Sequence, residues 1–342
     1  MYSFTNDYSE GAHPKVLELM LGTNLEQNSG YGKDIHCDRA RGYIKELINK
    51  SDADIHFIPG GTLTNLLTIS SYLRPHQAVI SADTGHIAVD ETGAIEATGH
   101  RVITVPGREG KITPEDINLV LKENSGEFQP IPKMVYISNT TELGTVYNKS
   151  ELTAIHEFCK EKGLILFLDG ARIGAALASK SNDMNIRDIA DMTDVFYIGG
   201  TKNGALLGEA LVIINDDLKE DFRHLLKQKG AMLAKGFVMG IQFEALFEDD
   251  LFFVLADHAD DKAVQVIATL KKHKVPFLAE PCSNQVFPIL SNDFIEEFSK
   301  EFSFNTMKAM DEGHTAIRLV TSWATSQESV DAFIKFFDLN YK

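Results

Sequence analysis

Short apolar runs alternate with amphipathic segments between about residues 60 and 214. Each apolar run is typical of a buried strand, and the segments between them have helical spacing. Several segments also begin with helix start signals: Thr113 precedes Pro114 and two acidic residues. The predicted strands are 78–81, 102–105, 134–138, 164–168, 195–198 and 210–214, and the predicted helices are 62–72, 87–97, 114–122, 150–162 and 186–190.

This alternation predicts a mostly parallel sheet that is covered by helices on both faces. Ligands of such sheets bind beyond the carboxyl ends of the strands. We therefore expect the chemistry of this protein just after each apolar run, and the notable polar residues of the chain occur there.

The pattern changes after about residue 245. A long helix is predicted at 251–272, followed by a strand at 285–290, a helix at 292–302, a strand at 316–321 and a helix at 326–337. The sequence thus predicts an α/β fold with a large, mostly parallel domain over residues 1–245, which includes the N-terminal segment, and a smaller C-terminal α/β domain over residues 246–342.

Composition excludes some classes of partner. A net charge of −16 argues against nucleic acid and anionic membranes, which attract basic patches. Cys37, Cys159 and Cys282 are far apart and form no C-x-x-C pair, so we expect no structural disulfide and no cysteine-built metal site. The first residues lack an apolar core typical of a secretory signal, and no apolar run is long enough to span a bilayer. A cytoplasmic protein is expected.

A carboxylate ends the apolar run 164–168, where Asp169 is followed by Gly170, Ala171 and Arg172. A buried carboxylate needs a partner, because burying it alone is costly. A protonated pyridine nitrogen, as in pyridoxal 5′-phosphate (PLP), is one such partner. Alternatively, Asp169 caps the next helix or binds a metal ion.

A lysine stands at the end of another predicted strand, in Gly199-Gly200-Thr201-Lys202-Asn203-Gly204. A lysine amine forms imines with carbonyl groups when its surroundings keep part of it neutral. Alone, Lys202 would be interpreted as a solvated loop lysine. Its position one strand–helix unit after Asp169 makes the PLP interpretation more specific.

Two further candidates precede helices. Gly60, Gly61 and Thr62 lead into an apolar helix, whose first N–H groups suit a phosphate, although a Gly-Gly turn can equally serve chain geometry. His86 follows the predicted strand 78–81. Its flat ring could stack on a flat cofactor, or it could be a packed or capping residue.

In chain order, the motifs Gly60-Gly61-Thr62, His86, Asp169-Gly170-Ala171-Arg172 and Thr201-Lys202 resemble those of fold-type I PLP enzymes. Within that group the chain resembles the threonine aldolase (β-eliminating lyase) family, and it is most similar to the branch of low-specificity threonine and phenylserine aldolases. The resemblance covers nearly the whole chain. It implies a PLP-dependent transferase-like fold and a carbon–carbon lyase.

The resemblance also implies residue roles. Lys202 would bind PLP covalently, Asp169 would pair with the pyridine nitrogen, Arg172 would lie near the phenolic oxygen and His86 would stack on the ring. Lys202, His86 and Asp169 would be the catalytic residues. The implied cofactor-binding residues are Gly60, Gly61, Thr62, His86, Asp169, Arg172, Thr201 and Lys202.

The implied substrate residues are Asn6, Tyr31, Thr141 and Arg318. Arg318 matches an arginine that binds the substrate carboxylate, and a planar guanidinium suits that role; alone it would be an exposed arginine at a strand end. Asn6 stands where the family usually has a serine. Thr141 stands where many members have a histidine, and a threonine cannot act as a base near neutral pH. Tyr31 belongs to a Tyr-Gly pair that the family uses across a subunit interface, which implies a homodimer or homotetramer.

The implied reaction cleaves β-hydroxy-α-amino acids of the threonine, allo-threonine or phenylserine type to glycine and an aldehyde. Glu91 could assist proton removal, or it could be a surface carboxylate of a helix. Three alternatives remain at this point: another PLP reaction (β-elimination, transamination or racemisation), a non-catalytic PLP-binding scaffold, and a metal-dependent hydrolase that uses Asp169. The sequence lacks clustered histidine and carboxylate ligands, which argues against the metal-dependent hydrolase.

Overall fold

The computed structural model describes residues 2–341. Its strands are β1 (Tyr2–Ser3), β2 (Asp54–Ile58), β3 (Gln77–Ala82), β4 (Arg101–Val105), β5 (Ile131–Ser138), β6 (Ile165–Asp169), β7 (Val195–Gly199), β8 (Glu209–Ile213), β9 (Gln285–Val286), β10 (Ile289–Ser291), β11 (Phe302–Ser303), β12 (Asn305–Ala309) and β13 (His314–Val320).

Helices connect these strands. They are α1 (Pro14–Gly22), α2 (Ile35–Ile48), α3 (Gly61–Tyr72), α4 (His86–Val89), α5 (Pro114–Glu123), α6 (Lys149–Lys162), α7 (Ile173–Ala178), α8 (Ile186–Met192), α9 (Phe222–Gln228), α10 (Phe237–Phe247), α11 (Leu251–Lys272), α12 (Asn292–Phe298) and α13 (Gln327–Asn340), with 3-10 helices at Glu96–Thr98 and Asp216–Leu218.

Local chemistry explains several helix starts. A capping box begins α5, where the Thr113 side chain accepts from the backbone of Asp116 and the Asp116 side chain accepts in return. Asn148 and Glu151 form the same arrangement at α6. Gly163 ends α6 in the left-handed region, which a glycine adopts without strain. These signals are local, and the predicted bounds of both helices agree with the structure within one residue.

The large sheet has seven strands in the order β2-β8-β7-β6-β5-β3-β4. All of its strands run in one direction except β8, which is antiparallel to both β2 and β7. All the residues of β7 and β8 are buried, as expected for strands covered on both faces. The mostly parallel α/β architecture predicted from the sequence is confirmed, and the carboxyl ends of its parallel strands share one edge.

Three of the predicted elements are wrong in extent. In the helix predicted at 87–97, only α4 is α-helical and a separate 3-10 helix follows at Glu96–Thr98, because Thr92 and Gly93 adopt left-handed φ values of 52° and 72°. The strand predicted at 285–290 is divided into β9 and β10, with Pro288 between them and no N–H for the ladder. The helix predicted at 292–302 ends at Phe298, and the chain then forms β11 against β1.

The buried apolar residues form three clusters. Two of them lie on the faces of the large sheet, and the third includes Phe4, Val266, Phe298, Leu319 and Phe333. The third cluster supports the division into two domains, which remains a prediction, and its boundary at 245/246 falls in the last turn of α10. Phe4 joins the N-terminal strand to this third cluster. Within residues 2–341, no helix combines the length and apolarity that crossing a bilayer would require.

Candidate active site

One edge of the large sheet brings the predicted cofactor residues together. Asp169 is the last residue of β6 and lies opposite Ser138, the last residue of β5. Lys202 follows β7, His86 follows β3, and Gly61 begins α3 after β2. The chain thus places these groups at the carboxyl ends of parallel strands, where a ligand of such a sheet binds.

Asp169 accepts hydrogen bonds on both carboxylate oxygens. Its Oδ1 accepts from the Tyr197 hydroxyl at 2.5 Å and from the Ala171 N–H at 2.9 Å. Its Oδ2 accepts from the Tyr136 hydroxyl at 2.6 Å and from the Asn65 side chain at 3.1 Å. Burial by itself would raise the pKa of Asp169, but the hydrogen bonds from both tyrosines outweigh it and hold this pKa below its ordinary value. Asp169 is therefore a buried, fixed negative charge.

His86 belongs to a second polar group beside Asp169. Its Nδ1 lies 2.8 Å from Oε1 of Glu91, and the same oxygen accepts from Asn65 at 2.7 Å. The Glu91 side chain is completely buried, so the alternative of a surface carboxylate is wrong for this residue. Burial would lower the pKa of His86, but the Glu91 hydrogen bond and the charge of Asp169 raise it above its ordinary value. The His86 ring remains 36% exposed and can face a ligand.

Lys202 lines a small cavity, whose walls also include Asp7, Arg172 and Asn284. Burial and the positive charge of Arg172 lower the pKa of Lys202, although Asp7, Asp169 and Glu209 act in the opposite direction. No hydrogen bond or ion pair of its amine is formed within residues 2–341. A buried lysine of lowered pKa with a free amine has the properties of a nucleophile toward carbonyl groups.

Arg172 is bound by the N-terminal segment. Its Nε donates to Oδ2 of Asp7 at 2.7 Å and its Nη2 donates to Oδ1 at 3.0 Å. Asn284 donates to the same Asp7 carboxylate at 3.0 Å. Burial would raise the pKa of Asp7, but Arg172 and Lys202 lower it below its ordinary value. The structure therefore orients Arg172 through Asp7, and its contact with the phenolic oxygen of a cofactor stays a prediction.

Arg318 carries an unsatisfied donor. Its Nε is buried without a hydrogen-bond partner in the described chain, and its Nη2 makes only a long contact of 3.4 Å with the carbonyl of Thr5. Burial and the neighbouring Arg172 lower the pKa of Arg318. Two guanidinium groups with one unpaired N–H donor favour an anion between them, and a carboxylate has the matching geometry. Asn6 follows Thr5 directly, and its Oδ1 accepts from the N–H of Tyr8 at 2.9 Å.

The start of α3 offers a site for phosphate. Gly60 is extended and Gly61 begins the helix, so the first-turn N–H groups have no partner within the helix. Thr62 is exposed, whereas the Thr64 hydroxyl bonds back to the carbonyl of Gly60 at 2.9 Å. A Cβ at Gly61 would lie 3.4 Å from the Tyr197 hydroxyl, which limits the space under this turn. Thr201, another predicted cofactor-binding residue, donates its hydroxyl hydrogen bond to Glu209.

Two of the predicted substrate residues, Tyr31 and Thr141, do not line the cavity of Lys202. Tyr31 has a φ of 62° and lines a separate cavity with Arg41 and Arg223. The Thr141 side chain is 1% exposed, and its hydroxyl is paired with that of Thr145 at 2.7 Å. The neighbouring Glu142 side chain instead accepts hydrogen bonds from the backbone N–H of His86 at 2.8 Å and from the Ser138 hydroxyl at 2.6 Å. The substrate roles of Tyr31 and Thr141 stay predictions.

Sequence reasoning missed several groups that complete this site. The tyrosine hydroxyls on Asp169 come from strand positions that resemble core residues, and Asn65 is a polar residue on an otherwise apolar helix face. A buried-strand tyrosine that needs a hydrogen-bond partner was the available signal. The groups missed are Asn65, Tyr136, Tyr197, Glu142, Glu209 and Asn284.

These residues fit PLP. Asp169 supplies a fixed carboxylate, and Lys202 supplies a free amine beside it. The first N–H groups of α3 can bind a phosphate, and the unpaired Nε–H of Arg318 can bind a substrate carboxylate. Each feature rests on residues from a different part of the chain. None of them requires a metal ion.

Comparisons with known proteins agree with this geometry. A family model described as β-eliminating lyase matches residues 5–293. A low specificity L-threonine aldolase of Pseudomonas aeruginosa is 32% identical over 333 residues, which span 96% of this chain and 94% of that protein. A solved threonine aldolase structure of Leishmania major is 50% identical, covers 100% of both chains and has a TM-score of 0.99.

A more distant structure shows the fold alone. Aspartate aminotransferase of Thermus thermophilus superposes with a TM-score of 0.74 over 98% of this chain and 91% of its own, at 14% identity. It confirms the fold-type I architecture expected from the motifs. Family membership likewise confirms the expected PLP dependence and lyase class. The chain belongs to the β-eliminating lyase family.

Proposed function

We propose that this protein cleaves β-hydroxy-α-amino acids of the threonine type to glycine and an aldehyde, with PLP bound to Lys202. The half-buried guanidinium of Arg318 carries this proposal, because its buried Nε has no partner in the described chain and it lies near Arg172 and Asp7 of the Lys202 cavity. Holding a cofactor alone requires no such group, whereas an amino-acid substrate brings a carboxylate. Arg318 therefore favours an enzyme over a non-catalytic PLP-binding scaffold.

PLP supplies a carbonyl that the substrate amine attacks and a conjugated ring that takes up electrons. Asp169 keeps a negative charge at the strand end, where it stabilises a protonated ring nitrogen. Tyr136 and Tyr197 hold that carboxylate in one orientation. Lys202 would hold PLP through its side-chain amine, and burial together with the cation of Arg172 lowers the pKa of that amine and keeps a fraction of it neutral.

The β-hydroxyl proton needs an acceptor in this reaction. His86 is the group best placed for it, because Glu91 fixes its Nδ1 and leaves its other ring nitrogen without a partner among residues 2–341. In the neutral ring whose Nδ1–H donates to Glu91, Nε2 can accept this proton, and the raised pKa of His86 helps the ring hold it once transferred. Thr141 is turned toward Thr145 and cannot fill this role.

The finer assignments extend this proposal. The protein forms a homodimer or homotetramer, in which the cavity of Tyr31, Arg41 and Arg223 supplies part of a neighbouring site. Within one protomer, the Lys227 Nζ lies over the Tyr31 ring, 4.6 Å from the ring centroid. We place the protein in the cytoplasm, since all its cysteines are free thiols. The large domain covers residues 1–245 and the small one residues 246–342.

A product assay tests the proposal. Purified enzyme with PLP should release glycine and an aldehyde in equal amounts from threonine, allo-threonine or phenylserine. Lys202→Ala should abolish both the release and the covalent bond that borohydride fixes. Lys149→Ala is the matched control, because Lys149 pairs with Asp188 on the surface and its side chain is 52% exposed. Ammonia and a keto acid, or a racemised amino acid, in place of glycine would show a different PLP reaction.

A further inference from the structure

A second buried carboxyl group, Glu209, holds the turn that carries Lys202. Glu209 begins β8 and lies opposite Gly199, the last residue of β7. Its Oε2 accepts from the N–H of Gly200 at 3.1 Å and its Oε1 accepts from the Thr201 hydroxyl at 2.9 Å. Gly200 and Thr201 directly precede Lys202 in the chain. One carboxylate therefore fixes both residues that lead to the lysine.

The same turn is closed by Gly208. Its carbonyl accepts from the N–H groups of Gly200 at 3.0 Å and Thr201 at 3.2 Å, and its own N–H donates to the Thr201 hydroxyl at 3.1 Å. The turn is satisfied by the backbone of Gly208 as well as by Glu209. A simple structural need for a hydrogen-bond acceptor could have been met by a neutral side chain, yet the position holds a carboxyl group that is 4% exposed.

The ionisable groups around Glu209 come from two strands, β6 and β7, and from the turn after β7. Asp169 of β6 and Lys202 after β7 act on its carboxyl group, and Glu209 in turn acts on the Tyr197 hydroxyl of β7. Burial, opposed by the Thr201 hydrogen bond and the charge of Lys202, raises the pKa of Glu209 to about 8. Lys202 itself also experiences Arg172 and Asp7. Glu209 and Lys202 thus influence each other's proton across the turn that connects them.

We propose that Glu209 is a positioning residue for Lys202: it holds the Gly200–Thr201 turn and its carboxylate supports the protonated form of the lysine amine. When Lys202 loses its proton, the carboxylate of Glu209 can take that proton up, so the buried pair keeps the same net charge. Because only Asp7 and Asp169 would remain to oppose Arg172, a neutral side chain at 209 leaves Lys202 less readily protonated. This inference rests on the proposed role of Lys202.

The test measures the proton affinity of Lys202 in cofactor-free protein. Acetic anhydride labels neutral amines, and mass spectrometry would follow labelling of Lys202 from neutral to alkaline pH, with Lys149 as the internal reference. Glu209→Gln should label Lys202 roughly tenfold faster at a given pH below the midpoint, since an opposite charge close by shifts a pKa by about 1 unit or more. Thr201→Val removes the hydrogen bond that favours the charged form of Glu209, so its midpoint should shift in the same direction as that of Glu209→Gln and by less.

Asp260→Asn is the matched control for removing a buried carboxyl group. Burial and the nearby Asp257 and Asp261 raise the pKa of Asp260 to about 7, and its charged neighbours do not include Lys202. This variant should leave the labelling profile of Lys202 unchanged. If Glu209→Gln does not fold, Glu209→Asp replaces it. Aspartate retains the charge, so the midpoint of Lys202 labelling must stay near the wild-type value. A midpoint shifted as far as expected for a neutral side chain at position 209 overturns the proposal.

Two results would separate this inference from the proposed function. An unchanged Lys202 profile in folded Glu209→Gln, with the PLP bond still formed, overturns the role of Glu209 alone. Absence of a borohydride-fixed bond in the wild type overturns the role of Lys202. In PLP-loaded protein, the visible absorbance should lose its protonated band at lower pH in Glu209→Gln than in the wild type, and equal titration curves would again contradict the proposal.

Discussion

Arg172 and Asp7, separated by 165 positions in the sequence, form a bidentate ion pair in which Nε and Nη2 donate at 2.7 Å and 3.0 Å. The Asp7 side chain is 1% exposed and that of Arg172 is 13% exposed. This pair joins the N-terminal segment to the loop after β6. The segment around Asp7 is thereby bound to the loop that carries Arg172.

Replacing Asp7 by Ala should therefore reduce stability strongly. Removing one partner of a buried pair leaves an uncompensated charge and costs about 3–5 kcal/mol. Urea unfolding at neutral pH measures the loss. Asp249→Ala is the control, because Asp249 pairs with Lys15 on the surface and its side chain is 74% exposed, so it should change the free energy of unfolding little. An equal effect of both substitutions would contradict the special role of the Arg172 pair.

The same pair predicts a pH dependence. Because the folded-state pKa of Asp7 is depressed, its stabilising contribution is fully present above the ordinary value of 3.8 and is lost as the pH falls toward the folded pKa. The stability difference between wild type and Asp7→Asn should therefore shrink in acid below that value. Unfolding curves over an acidic pH series test it, and a difference that persists unchanged would exclude linkage through Asp7.

Arg318→Lys should impair amino-acid turnover while PLP binding stays largely intact. Lysine keeps the charge but loses the planar fork, and a charged hydrogen bond contributes roughly 1.5–3 kcal/mol. Steady-state kinetics with threonine should show a fall in kcat/KM, and absorbance should report the bound cofactor. Arg108→Lys, a substitution on the loop after β4, is the control for the chemistry of the exchange. Unchanged turnover in Arg318→Lys would show that the substrate carboxylate binds elsewhere.

Glu91→Gln should lower the pKa of His86. The neutral amide removes the charge that holds the proton on Nδ1, so burial then dominates. A raised histidine pKa stabilises the fold below the ordinary value of 6.5, and that contribution disappears as the pH rises through the folded pKa. NMR titration of the His86 ring measures the shift. Asp311→Asn, beside the exposed His314, is the control for a surface pair. An unmoved His86 titration would contradict the coupling.

Dilution should reduce activity if the site is completed across a subunit interface. The cavity of Tyr31 and Arg223 is separate from that of Lys202 within one protomer, so a contribution to catalysis requires a neighbouring chain. Light scattering should give at least a dimer, and Tyr31→Ala should lower activity while leaving the unfolding of the protomer similar. Full activity in a demonstrated monomer would contradict this arrangement.

The sequence by itself determined the order of the elements and the main chemical groups. Apolar runs and helix start signals are local, and they predicted every strand of the large sheet except β2, together with helices such as α5 and α6. The helix predicted at 87–97 failed because left-handed turn residues ended it, which apolar spacing does not report. Asp169 and Lys202 were predictable because each stands at the end of an apolar run.

Only the tertiary structure decided which groups surround them. Tyr136 and Tyr197 lie on the two strands that flank the strand of Asp169. Asn65 contacts the same carboxylate from a helix 104 positions earlier in the chain. Glu209 reaches the lysine turn because β8 runs antiparallel to β7, a reversal that no periodicity in the chain indicates. Hydrogen bonds and charges act over a few ångströms in space, and distances in the sequence carry no information about them until the sheet order is set.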